Sequence, residues 1–314
     1  MIEENTFNIS PAQRIDAFLS QTWKEKFSRS AIQKFIRDGK VKVNGKLCNK
    51  PSHQVEGEIT IELTYTEPED YIIPRSDKQI PVLFEDPYLA IIHKPVNMTV
   101  HPGAGTKDDT LVHYLLGQFD ELSETEERQR PGIVHRLDRE TEGLMVIAKK
   151  TNVHRQLSAL FENRKIEKRY EAWLWGQSPD STTADGFIGR HPSNRKKMMY
   201  SEKPVNNTYK SSILSIETLE QTEHFSRVSI DLKTGRTHQI RATCSYLKIP
   251  VVGDQMYSRL ARRYKKAGFS DAQESDFNDR GLLLIASGLS FEHPVTKEKL
   301  TYSLPLPQRF HNLE

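Results

Sequence analysis

The chain has 314 residues, 36% of them hydrophobic, with 45 Lys and Arg against 42 Asp and Glu and only two cysteines. That length supports one sizeable core and a smaller satellite domain, and no run approaches the roughly 18 apolar residues of a membrane span. The opening MIEENTFNIS lacks a basic and an apolar leader region, and Cys48 and Cys244 stand alone, so the expectation is a soluble, cytoplasmic protein without a disulfide framework or a metal site.

Charge is unevenly spread. From Ala12 to Ser52 ten Lys and Arg face three acids, while the rest of the chain is net acidic. Such concentration marks either a polyanion-binding module or a solvated face. In SRSAIQKFIRDGK, Ser28 is placed to cap a helix, Ile32, Phe35 and Ile36 share one side, and Gly39 ends it. Arg29, Lys34 and Arg37 occupy the other side. VKVNGKLC then alternates about Asn44-Gly45, which predicts a type I′ hairpin, and ITIEL supplies another strand. Arg29, Lys34, Arg37, Lys40 and Lys42 are therefore candidates for phosphate contacts. With Arg14-Ile15-Asp16, Ser28-Arg29-Ser30 and GKVKVNG, the segment 12–66 resembles the S4 RNA-binding domain, an αβ module.

Residues 67–81 are Pro-bearing and mostly polar and read as a linker. From 82 to 314 the pattern predicts a hairpin at VLFEDPYLAIIHKP and strands at LMVIA, YEAWLWG, SRVSIDL and LLLIA. A helix is predicted around Val153, Leu157 and Leu160, and another from Arg236 to Leu247. Strands outnumber helices without βαβ alternation, so the fold class is α+β around a mixed, mainly antiparallel sheet. The acidic stretch 120–130 reads as an exposed face.

HRLDRETEGL, residues 135–144, follows Pro131-Gly132 and precedes a strand, which predicts Asp138 on a loop at a sheet edge. Taken singly, Asp138 suits a turn cap, Tyr170 a half-buried strand position, and Arg241 a solvated helix face. No GxSxG, HExxH, Walker A or GxGxxG run is present.

Taken together, the motifs resemble the RluA family of pseudouridine synthases. They are HRLD with Thr141 and Gly143-Leu144, HKP with HPG, KRY, GRTHQIR, PVVGD and FEHP, in that order. The resemblance implies isomerisation of uridine in RNA with no cofactor and no metal. It makes Asp138 the essential carboxylate, as nucleophile or as base, with Arg241 its cation and Tyr170 stacking on the uracil. Arg136 would fill the gap left by the extruded base, and Leu284 would wall the pocket. Glu142, Thr243 and Ile285 depart from the family pattern, and Glu142 would add negative charge near Asp138 if turned inward.

The basic stretch DGFIGRHPSNRKKM resembles part of the RluD-type branch, which implies large-subunit (23S-type) ribosomal RNA as the partner. SRLARRYKKAG would extend the phosphate track. Transfer RNA is the other RNA candidate, and a noncatalytic RNA-binding or ribosome-assembly protein is the rival from another class. The chain is expected to act as a monomer.

Overall fold

A computed structural model describes residues 2–24, 26–27, 29–65, 73–103, 106–124, 130–258 and 260–313. The proposed cap Ser28, residues 67–72 of the linker and 125–129 of the acidic stretch lie outside the described residues. The chain divides into two compact units, Met1–Ile72 and Ile73–Glu314. No helix among the described residues is long and apolar enough to cross a membrane.

The first unit runs β1 (Ile2–Arg14), α1 (Ile15–Thr22), α2 (Arg29–Arg37), β2 (Val41–Val43), β3 (Lys46–Leu47) and β4 (Gln54–Thr64), with sheet order β1-β4-β2-β3. Asn44 and Gly45 take φ of 48° and 72°, the left-handed pair that a type I′ turn requires. Ile32 and Ile36 are fully buried against Ile15, Leu19, Ile61 and Leu63, which turns Lys34 and Arg37 to solvent. β1 precedes the segment 12–66 and pairs along nearly its whole length with β4. Its polar residues give it little apolar alternation to read.

Asp16 organises this unit. Its buried carboxylate accepts from Arg14 Nε at 2.9 Å, Gln33 Nε2 at 2.7 Å and Arg29 Nη2 at 3.2 Å. Lys42 likewise meets Glu62 at 2.8 Å on the neighbouring strand. Arg29 and Lys42 thus have partners within the unit, whereas Lys34, Arg37 and Lys40 are exposed.

The second unit carries β5 (Val82–Glu85), β6 (Leu89–Lys94), α3 (Leu111–Gln118), β7 (Glu142–Ala148), α4 (Thr151–Glu162) and β8 (Glu167–Trp175). It continues with β9 (Ser181–His191), β10 (Asn194–Ser201), β11 (Lys210–Gln221), β12 (Phe225–Leu232) and α5 (Gln239–Tyr246). α6 (Leu260–Ala267), α7 (Asp271–Arg280), β13 (Leu284–Glu292) and β14 (Lys299–Ser303) complete it. Its ten-stranded sheet has the order β10-β9-β11-β12-β8-β13-β7-β6-β5, with β14 on the far half of β13. The sheet is antiparallel except where β7 meets β13 in parallel.

Strand periodicity divides the core between the two faces. On β8, Tyr170, Ala172 and Leu174 join one cluster with Leu284 and Ile240, while Trp173 and Trp175 join another behind the sheet with Ile285. α5 packs on the first face and α4 on the second. β7 lies inside the sheet, between β13 and β6, so Asp138 precedes a central strand and not the expected edge. Gly143 makes the parallel crossing possible: with φ of 132°, a Cβ there would sit 2.4 Å from the Ala286 carbonyl.

The Asp16 cluster sets an acid limit on the first unit. Hydrogen bonding from Arg14 holds the carboxyl well below its ordinary value of 3.8, with Gln33, Arg29 and the Arg14 charge acting the same way against burial. A depressed folded value contributes stability that is fully present above about pH 4 and is lost as pH falls towards that value. Asp16→Asn, which removes the buried carboxylate accepting from Gln33 and from two half-exposed arginines, should lower the unit's stability by about 1 to 3 kcal/mol at neutral pH. Thermal unfolding followed from pH 7 to pH 2 should show the variant losing less stability than wild type below pH 4. Parallel curves would show that Asp16 is not the acid-sensitive group.

Candidate active site

Three adjacent strands and one helix bring the motif residues together. Tyr170 lies on β8, Leu284 opens β13, Asp138 precedes β7, and Arg241 is on α5 above them. With Arg136, Thr141, Arg236, His238 and Ile240 among their neighbours, they line a pocket of about 100 Å³. All five residues assigned to catalysis or uridine binding in the motifs therefore meet in one place. Leu284 is both core and wall, being 3% exposed yet facing the pocket.

The carboxylate of Asp138 is reachable, with 19% of its side chain exposed, and its Oδ2 is 3.7 Å from Arg241 Nη1. That is a charge contact too long for a hydrogen bond. Arg241 is only 2% exposed and gives its fork elsewhere: Nε and Nη2 donate to the two oxygens of Asp254 at 2.7 and 3.0 Å. Its Nη1 also meets Glu140 at 2.9 Å. Burial opposes the charge, but hydrogen bonding to Asp254 and the carboxylates of Asp254, Asp138 and Glu140 outweigh it and keep Arg241 charged. Asp254 is fully buried, and its Oδ1 accepts the amides of Met256 and Tyr257, both at 2.9 Å. Gly253 lets it in: with φ of 76°, a Cβ there would lie 1.7 Å from the Gly281 carbonyl.

Asp254 and Glu140 are partners of Arg241 in the candidate site to which the motif reading gave no role. The signal for Asp254 was present, since PVVGD is one of the motifs, but an acid thirteen residues after an arginine has no helical or strand register that implies contact.

Tyr170 is 8% exposed, and burial with the charge of Asp138 raises its phenol above the ordinary range. It therefore stays protonated, a flat ring and donor rather than a base. Arg136 is exposed at the pocket, its Nη1 3.4 Å from His101 Nε2.

The surrounding motif residues hold the loop. Lys94 is fully buried, and its Nζ donates to the carbonyls of Pro95, Met98 and Arg139 at 2.8, 2.9 and 3.3 Å. Burial pushes it down to about 7, with Asp138 and Glu142 pulling the other way. His135 accepts the Val146 amide at 3.0 Å and packs on Phe161. Burial, helped by Lys168, pushes this imidazole down to about 3, so it is a neutral structural acceptor. Glu142 does not add free charge beside Asp138. Its Oε1 accepts from Arg309 Nε at 2.9 Å, and His93 Nε2 lies 3.6 Å from its other oxygen. Burial opposes ionisation there, but the proximity of His93 and the hydrogen bonds and charge of Arg309 hold the carboxyl below its usual range. Thr243 is buried in α5 and Ile285 faces the core behind the sheet.

The RNA pseudouridylate synthase family profile matches residues 88–246, and the S4 domain profile matches residues 13–60. The chain belongs to the RNA pseudouridylate synthase family. It is similar to ribosomal large subunit pseudouridine synthase D of Vibrio parahaemolyticus, 36% identical over 94% of this chain and 88% of that one. The same enzyme of Escherichia coli strain K12 is 34% identical with the same coverage. An uncharacterised RNA pseudouridine synthase of Aquifex aeolicus is 35% identical over 96% of this chain and 92% of its own. In fold, human RNA pseudouridylate synthase domain containing 4 superposes with a TM-score of 0.54 at 25% identity, covering 73% of this chain and 90% of that one. This synthase is an isomerase and binds RNA.

Asp254→Asn should leave a buried guanidinium without its fork partner, lowering stability by about 3 to 5 kcal/mol. In protein that remains folded, kcat should fall by about 100-fold, because a small displacement of the positive charge misaligns Asp138. KM should change little. Single-turnover rates on saturating RNA, with circular dichroism to confirm folding, test this, and an unchanged rate would remove Asp254 from the machinery.

Proposed function

We propose that this synthase isomerises specific uridines of large-subunit (23S-type) ribosomal RNA, acting as a cytoplasmic monomer. The observation that carries the chemistry is the reachable Asp138 carboxylate beside a buried, immobilised Arg241. The long contact places a positive charge beside the carboxylate yet leaves the oxygen lone pairs for substrate. A target uridine must leave its stack to reach this pocket, and Arg136 at the pocket is the side chain suited to fill the vacated space.

Inside the pocket, the ring of Tyr170 would stack on the uracil and Leu284 would close the apolar side. Asp138 then acts as nucleophile on the ribose or as the base that opens a glycal route; both begin with the carboxylate ionised. The C1′–N1 bond breaks, the uracil turns, and C5 joins C1′. The proton lost from C5 is balanced by the one gained at N1, so no oxidant or donor is consumed.

The ribosomal target is favoured by relatives whose names specify the large ribosomal subunit and which this chain matches along most of their length. The β9–β10 hairpin adds exposed Arg190, Arg195 and Lys196, and α6 adds exposed Arg262, Lys265 and Lys266. Arg263 instead donates to the Ser258 carbonyl and lies over Trp175. Large exposed apolar side chains, such as Ile2, Leu47, Val205 and Val295, are spread along the chain and favour the monomer.

Asp138→Asn should retain the fold and RNA affinity and reduce isomerisation below detection, since the near-isosteric amide is neither carboxylate nucleophile nor base. Pseudouridine mapping of ribosomal and transfer RNA from cells with wild type, variant and deletion decides activity and target together. Sites lost only from transfer RNA would overturn the ribosomal assignment, and turnover by the purified variant would overturn the mechanism. Replacing Lys34, Arg37 and Lys40 together by Glu should weaken RNA binding and make the log–log salt slope shallower by about 2 to 3, near one counterion per lost phosphate contact. An unchanged slope would exclude that face.

A further inference from the structure

His238 has no role in the steps above, yet it lines the pocket beside Arg241. Its backbone stands in the left-handed region, φ 51° and ψ 25°, at the residue capping α5. For a side chain with a Cβ that conformation costs on the order of 1 kcal/mol, and such strain persists only where the surroundings enforce it.

The imidazole's hydrogen bond determines which nitrogen carries the proton. His238 Nδ1 lies 3.0 Å from the Tyr257 hydroxyl, and that hydroxyl accepts the Met198 amide at 2.7 Å. A hydroxyl has one proton to give. Pointing it at Nδ1 satisfies both groups, whereas the reverse tautomer leaves the phenol proton without an acceptor among the described residues. With the phenol donating, Nδ1 is the acceptor and Nε2 carries the hydrogen. Burial and Arg241 both disfavour the imidazolium, against the pull of Asp138, Asp254 and Glu140.

Tyr257 is fixed in turn. Its ring centroid lies 5.5 Å from the Arg241 guanidinium and 5.6 Å from the Lys197 ammonium. Its amide binds Asp254, the partner of Arg241. One tyrosine therefore joins the β9–β10 hairpin, the buried cation and the pocket imidazole.

The charges around the pocket indicate what His238 can bind. Arg136 and Arg236 are exposed at the rim, while Arg241 at the floor meets three carboxylates, Asp138, Glu140 and Asp254. A phosphate is favoured at the rim and disfavoured at the floor, where a neutral base is tolerated. We propose that His238 is a further substrate-binding residue of the synthase. Its Nε2–H donates to a carbonyl oxygen of the target uracil, and Tyr257 is the positioning residue that aims it. The proposal rests on the synthase reading and adds the group that holds the base against Tyr170.

The test compares wild type with His238→Ala, His238→Gln, Tyr257→Phe and the double variant His238→Ala/Tyr257→Phe. Single-turnover rates are measured on in vitro transcribed large-subunit ribosomal RNA, with filter binding run in parallel. His238→Ala should slow isomerisation by about 100-fold, the lower end of the range for losing one positioned donor, with RNA affinity changed by less than about threefold. His238→Gln, whose amide N–H can stand in for Nε2–H, should recover part of the rate and serves if the alanine variant is unstable. Tyr257→Phe keeps the ring beside its cations and loses only the hydroxyl, so it should slow the step without a matching loss of affinity. The double variant should be no slower than His238→Ala within about twofold, because both changes remove one interaction.

Multiplying losses would overturn the role of Tyr257, and an unaffected His238→Ala would overturn the proposal while active wild type and inactive Asp138→Asn preserve the synthase reading. RNA carrying one methylphosphonate beside the target uridine separates the two acceptors. A His238→Ala penalty that persists supports the uracil carbonyl, and one that vanishes would overturn it in favour of a phosphate.

Discussion

The buried pair between Arg241 and Asp254 is the interaction on which the site depends. Sequestering a guanidinium from water is costly, and a single distant carboxylate would not offset it. Asp254 does so with both oxygens, and the amides of Met256 and Tyr257 complete its own coordination. Because the fork is committed there, Asp138 receives the field of Arg241 across 3.7 Å without a hydrogen bond to it. Had Asp138 been the bidentate partner, its lone pairs would have been engaged before substrate arrived. The carboxylate that binds the guanidinium and the one open to the pocket are thus different residues, and Asp254 reaches its place through Gly253, where only a residue without Cβ fits under the Gly281 carbonyl.

Around that pair, motif residues that look chemical prove to be framing. The ammonium of Lys94 uses three donors on three main-chain carbonyls, including that of Arg139, so the loop bearing Asp138 is tied to the turn after β6. His135, adjacent to Arg136, accepts the Val146 amide of β7. His293 accepts the amides of Val295 and Thr296 through Nδ1 and meets Asp86 at 2.9 Å on its other nitrogen. Glu142 is tethered to Arg309, whose Nη1 also donates to the carbonyls of Arg280 and Leu282. The C-terminal 3₁₀ turn thereby braces the parallel junction of β7 and β13, on either side of which Asp138 and Leu284 are displayed.

Much of this was legible in the chain. Period-two alternation and turn dipeptides carry β2 to β8, β12 and β13, and the α2 face follows from the spacing of Ile32 and Ile36. Asp138, Tyr170, Arg241, Arg136 and Leu284 were legible as a set only through the resemblance, since each alone suits a turn, strand or solvated helix. The β9–β10–β11 meander and β1 were not, because their strands are largely polar on a solvated face and offer no contrast for period two to reveal. Asp254, Glu140, Arg309 and Tyr257 were hidden for another reason. Each acts across a contact between segments distant in sequence or outside regular structure, where spacing carries no geometric information.

The distribution of charge explains how a polyanion can be drawn to a protein whose reactive group is an anion. Lys34, Arg37 and Lys40 in the first unit, with the β9–β10 hairpin and α6 in the second, are exposed and supply long-range attraction. At the floor of the pocket the balance reverses, with one guanidinium among three carboxylates. This distribution favours a phosphate at the rim and an uncharged group at the floor. Such a floor would grip through neutral groups, among them a phenol whose deprotonation is suppressed by burial and Asp138, and an imidazole whose charged form is disfavoured by burial and Arg241. The carboxylates gathered around Arg241 thus favour an uncharged base over a phosphate beside Asp138.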